Sequence, residues 1–171
     1  MKRHFLIITA FFMLISTTLN AQTINSFFNK YDHDNRFECV SVGRFLFSLA
    51  LITGKLDKDE KELLASLRKI KVLTSKDELQ PEFSSNIMKD FNKVVKRGKF
   101  ESLVEVREKK EKVKIYIKEK RGFYTDLVIA VQDSDEVNLI WIKGKLTKKI
   151  VERLKNENNK EINGITTNIN L

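Results

Sequence analysis

An α+β fold is predicted, built on a single, mainly antiparallel sheet of about six strands with helices on one face. Three observations carry this expectation. From Phe100 to Leu146 the apolar residues recur at every second position, the period of a strand. Before that, apolar stripes at three- and four-residue spacing alternate with two short strand-like runs. The links between the late strands are too short for a crossover helix, so those strands form an antiparallel four-stranded meander.

The first 21 residues stand apart from this fold. Lys2 and Arg3 precede an apolar run from Phe5 to Ile15, and Leu19-Asn20-Ala21 ends in a small residue before Gln22. A charged start, a short apolar middle and a small-residue exit read as an export signal over 1–21, cleaved between Ala21 and Gln22. The run is shorter than the roughly 20 residues a bilayer span needs. Stretched to Leu19 through Ser16, Thr17 and Thr18, it would serve instead as an uncleaved anchor. After cleavage, one domain over 22–155 and an asparagine-rich flexible tail over 156–171 are expected, the tail forming at most a late edge strand through Ile165 and Ile169.

Ile24, Phe27, Phe28 and Tyr31 fall on one stripe of a short helix, stopped by the turn formers Asp32-His33-Asp34-Asn35. Phe37–Val42 reads as a strand. Phe45–Ile52 reads as a helix so apolar that cover on more than one side is expected, and Gly54 ends it. Asp57 and Glu60 form a capping box for a helix with Leu63, Leu64 and Leu67 on one face. Lys69-Ile70-Lys71-Val72 alternates as a strand ending near Thr74. Pro81 opens the clearest helix, marked by Phe83, Ile87, Phe91, Val94 and Val95 and closed by Gly98. Leu146, Ile150, Val151 and Leu154 suggest a final helix.

The meander strands are Phe100–Arg107, Lys112–Glu119, Phe123–Gln132 and Glu136–Lys143. A loop centred on Lys109-Lys110 sets Val106 opposite Val113 and Val104 opposite Ile115. A three-residue loop Lys120-Arg121-Gly122 sets Ile115 against Leu127. Another, Asp133-Ser134-Asp135, sets Val131 against Val137 and Leu127 against Trp141. These registers put one apolar set on one face, the expected core.

Two features suggest an interaction surface. Lys112, Lys114, Tyr116, Lys118 and Lys120 occupy one strand face, a basic strip interrupted by an aromatic. Glu105 opposite Lys114 and Glu101 opposite Lys118 would neutralise half of it, each pair contributing about 0.2–1 kcal/mol. The same outer face carries Val128, Ala130, Ile140 and Ile142, which need cover from within the chain or from a partner. The candidate surface is thus Lys114, Tyr116, Lys118, Val128, Ile140 and Ile142.

The formal charge is +9, falling to +7 when Lys2 and Arg3 leave with the signal. Such a balance points to anionic surroundings, and export replaces nucleic acid by an envelope protein or an anionic surface as the partner. Cys39 is the only cysteine; Arg36-Phe37-Glu38 before it rule out lipoprotein acylation, and a buried strand thiol is expected. His33 is the only histidine after processing, and Asp32-His33-Asp34-Asn35 lacks the ligand order of a calcium loop. No zinc, redox or nucleotide motif occurs, so no catalytic, cofactor-binding or metal residue is assigned. The functional expectation is a non-catalytic periplasmic or secreted binding module. A hydrolase using paired carboxylates is the enzymatic alternative.

Glu101-Ser102-Leu103-Val104-Glu105-Val106, Lys112–Glu119 and Val137–Gly144 resemble an uncharacterised family of exported Bacteroidetes proteins, the domain of unknown function 4252. Leu103-Val104-Glu105-Val106 looks like its "L-hydrophobic-E-V" strand, and Arg68–Leu73 like the strand before its long helix. The resemblance runs from Ile24 to Leu154, departing at Lys145 and in the tail. It implies a Gram-negative envelope location and brings no established activity, so no functional residue is carried over. A role as accessory to an envelope-stress signalling system is the second functional expectation.

Overall fold

Thr23 starts the fold with a reciprocal cap. Its hydroxyl accepts from the Ser26 N–H at 3.1 Å, and the Ser26 hydroxyl accepts from the Thr23 N–H at 2.7 Å. The computed structural model describes residues 23–76, 79–108, 111–133 and 136–152. The signal and tail segments lie outside these residues, as does Leu154. The elements are α1 (Ile24–Tyr31), β1 (Phe37–Gly43), α2 (Arg44–Thr53), α3 (Lys58–Ser66), β2 (Leu67–Ser75), α4 (Pro81–Arg97), β3 (Glu101–Arg107), β4 (Lys112–Lys120), β5 (Phe123–Gln132) and β6 (Val137–Leu146). Helical residues follow at 148–152. Leu146 therefore ends a strand instead of opening the last helix. The box at Asp57 and Glu60 forms as expected, with bonds of 2.8 and 2.9 Å.

The six strands make one antiparallel sheet in the order β1-β2-β6-β5-β4-β3. The fold is the expected α+β class, with its C-terminal meander. The helices, however, divide between the two faces. Phe27 and Phe28 of α1 and Phe91 and Val94 of α4 cover Leu73, Val128, Ala130, Leu139 and Trp141. On the second face Phe47 of α2, Leu63 and Leu64 of α3, and Ile150 and Val151 pack with Ile70, Ile115, Ile117, Leu127 and Ile142. A strand such as Leu127-Val128-Ile129-Ala130-Val131 is apolar on both sides and requires this two-sided cover.

Loop lengths explain where the register departs from expectation. Between β4 and β5, Lys120 pairs with Phe123 across a two-residue turn, Arg121 and Gly122 both having positive φ. That is the hairpin geometry matching strand twist. A bulge between Lys118 and Glu119 adds a second residue of offset, so Ile115 faces Ile129 instead of Leu127. Two steps preserve the face.

Between β5 and β6 the offset is one. Gln132 pairs with Val137, and the Asp133 N–H donates to the Glu136 carbonyl at 3.0 Å, closing a four-residue connection. One residue inverts every side chain of β6 relative to β5. Leu139 and Trp141 consequently share the helix-covered face with Val128 and Ala130, while Ile140 and Ile142 join Leu127 and Ile129. The β3–β4 expectation stands for Val106 with Val113 and Val104 with Ile115.

Candidate interaction surface

The six residues expected to form one surface do not lie together. Val128 is fully buried beneath α1 and α4, between its cross-strand neighbours Tyr116 and Trp141. Tyr116 turns its ring toward Phe91, with 6.0 Å between centroids. Lys114 is half-buried and pairs with Glu105 at 3.0 Å. Lys118 lies over the Phe100 ring at 5.5 Å. Its expected partner Glu101 sits opposite Ile117, because a bulge between Ser102 and Val104 shifts the ladder. Ile140 and Ile142 are half-buried on the opposite face. The lysine strip therefore lies on the face covered by α1 and α4, where Lys114 and Lys118 are engaged and only Lys112 and Lys120 at its ends are exposed.

The exposed apolar surface lies on α2 instead. Phe47 points into the second core, with Ala50 and Leu51 half-buried behind it. Phe45 and Ile52 remain 79% and 82% exposed, with Leu46 and Leu49 about half exposed beside them. These four residues recur at helical spacing and make one outward stripe. The expected cover on several sides is absent among the described residues; α2 is covered on one side.

The register places this helix at a particular end of the sheet. Gly43 pairs with Lys69, Leu67 with Gly144, Leu146 with Tyr124, and Phe123 with Lys120. The β1–α2 junction, the α3–β2 junction and the β4–β5 turn therefore share one end. A cleft of about 350 Å³ opens there, lined by Arg68, Lys120, Arg121 and Lys145 around Phe123, with Lys145 4.0 Å from the Phe123 ring centre. Among the described residues no carboxylate lines it. A second cleft of about 420 Å³ lies at the same end, among Thr23, Ile24, Arg97, Phe100, Lys118 and Lys143. Its one carboxylate, Asp126, is already engaged: Trp141 Nε1 donates to it at 2.9 Å and the Thr125 hydroxyl at 2.8 Å.

Several other titratable groups are committed to the fold. Lys71 is buried, donating to Asn29 Oδ1 at 2.8 Å and pairing with Asp32 at 3.4 Å. The Cys39 thiol, hydrogen-bonded to Asp32, holds that carboxyl below the usual carboxylate range, with Lys71 acting in the same direction. Burial, then the Asp32 carboxylate, pushes the Cys39 thiol up to about 11, so it stays protonated and unreactive at neutral pH. Asp34 forms a two-bond pair with Arg36 at 2.9 and 2.7 Å, and Arg36 stacks 3.5 Å from the Phe83 ring centre. Among the described residues no three of His, Cys, Asp and Glu gather closely enough to hold a metal ion. No described helix is long and apolar enough to cross a membrane.

A two-faced antiparallel sheet, with an apolar helix left partly uncovered among the described residues, defines the class as an α+β domain. The chain belongs to the family described as Domain of unknown function (DUF4252), whose model matches residues 31–154 and so takes in every strand. No curated protein and no solved structure matches the chain.

Proposed function

We propose that the chain is an exported, non-catalytic interaction module of a Gram-negative cell envelope, working from the periplasm or after secretion, and that α2 is its contact element. One observation carries this reading: Phe45 and Ile52 stand about four-fifths exposed on a helix whose outer side they share with Leu46, Leu49 and the polar Arg44, Ser48 and Thr53. Four large apolar side chains kept in water on one short helix are a cost that binding removes. The leader-like first 21 residues support export, and the engaged state of Asp126 favours a contact role over acid–base chemistry.

The test is expression of the full chain in a Gram-negative host. The recovered protein should begin at Gln22 and sediment with the envelope, whereas a Phe45→Glu, Ile52→Glu double variant should move to the soluble periplasmic fraction with its urea midpoint unchanged. A chain retained in the cytosol with residues 1–21 intact contradicts export. A double variant that stays envelope-bound contradicts the role of α2.

A further inference from the structure

We infer that α2 and the basic cleft at the same end of the sheet together dock the domain on an anionic lipid bilayer, an assignment that rests on α2 being the contact element. The stripe of Phe45, Leu46, Leu49 and Ile52 has the composition of a helix that lies in the headgroup boundary, with its apolar side among the acyl chains. Such helices need an electrostatic partner for anionic lipid, and the same end of the sheet supplies it. Arg68, Lys120, Arg121 and Lys145 converge on one cleft that no described carboxylate lines. Arg121 is carried outward at the tip of the β4–β5 turn, where its positive φ beside Gly122 holds the tight hairpin. Each Lys or Arg near an anionic leaflet strengthens binding by about fivefold.

Charge complementarity favours lipid over a second copy of the chain, whose own basic end would repel this one.

The chain from Gln22 to Leu171, which contains every described element, is mixed with phosphatidylglycerol–phosphatidylcholine vesicles and with pure phosphatidylcholine vesicles. Cosedimentation with the anionic vesicles alone is expected, lost as salt rises from about 0.1 M to about 1 M. Phe45→Ser and Ile52→Ser should each weaken it about tenfold. Arg121→Gln and Lys145→Gln should each weaken it about fivefold. Absence of binding, or equal binding of neutral vesicles, overturns the lipid assignment. So does a dimer in sedimentation that Ile52→Ser dissolves, which would make the occupant a second copy. A lowered urea midpoint for Ile52→Ser also overturns it, because α2 would then be covered within the chain. If lipid binding fails while the α2 variants still lose association with native envelope, the contact role of α2 stands and the partner is an envelope protein. If both fail, the contact role falls as well.

Discussion

Val128→Asp is expected to unfold the domain, while Ile140→Asp leaves it folded. Val128 is fully buried among Phe27, Phe28, Phe91 and Trp141, on the face covered by α1 and α4. An ionised carboxylate there loses water without gaining a partner, at a cost of several kcal/mol even after relaxation. That approaches the whole stability of a domain this size, about 5–15 kcal/mol. Ile140 is paired with Ile129 and Val72 on the second face, and is only half-buried. A carboxylate at this position reaches water and forfeits part of one side chain's burial, about 1–2 kcal/mol. Urea titration followed by circular dichroism distinguishes the two: no cooperative transition for Val128→Asp, and a lowered midpoint with unchanged slope for Ile140→Asp. The opposite ranking would mean that β5 and β6 pair one residue away from the register described.

Gly144→Val is the second large effect. A Cβ on Gly144 would lie 2.5 Å from the Ser66 carbonyl oxygen and 3.3 Å from the Leu67 Cα, both backbone atoms. Those atoms hold the junction where α3 passes directly into β2, and Leu67 is the cross-strand partner of Gly144 beside a bulge. The clash can be relieved only by moving the junction, which would also lift Leu63, Leu64 and Leu67 from the second core. Overpacking of this type costs about 1–3 kcal/mol for one methyl group, so Gly144→Ala should fall in that range and valine beyond it. Gly43 is the control. It caps α2 in an extended conformation with nothing within 4 Å of its missing Cβ, so Gly43→Ser should be neutral or stabilising.

The elements were legible from local chemistry. The Asp57–Glu60 box, Pro81 at the start of α4 and the stripe of α1 all depend on neighbours within a few residues. The two faces of the sheet were less legible. Their assignment depends on counting loop residues, and the connection after Gln132 holds one residue more than the acidic triplet suggests. That single residue moved Val128 from a candidate surface into the core, and separated it from Ile140 and Ile142. Alternation cannot resolve this, because β5 is apolar on both sides and either register buries something greasy. The β4–β5 hairpin shows the converse: two offsets of one residue add to two, leaving the face right and the partners wrong.

The exposed helix was hidden for a different reason. Arg44–Thr53 is apolar almost throughout, and the usual contrast between a wet and a dry side is missing. Composition of this type reads as deep burial. Only the packing of Phe47 inward, with Phe45 and Ile52 outward, separates a buried helix from one that awaits a partner. The basic cleft was equally invisible, since Arg68, Lys120, Arg121 and Lys145 come from three strands and a turn and meet only through the sheet register.

Hydrogen–deuterium exchange of the Gln22–Leu171 chain, with and without Gram-negative envelope membranes, bears most directly on the proposal that α2 is the contact element. Membranes should slow exchange across Arg44–Thr53 and the turn at Arg121 and Gly122, leaving β3 and β4 between Glu101 and Lys118 unchanged. Protection confined to the Lys112–Lys118 strip, with α2 exchanging as freely as before, would contradict it.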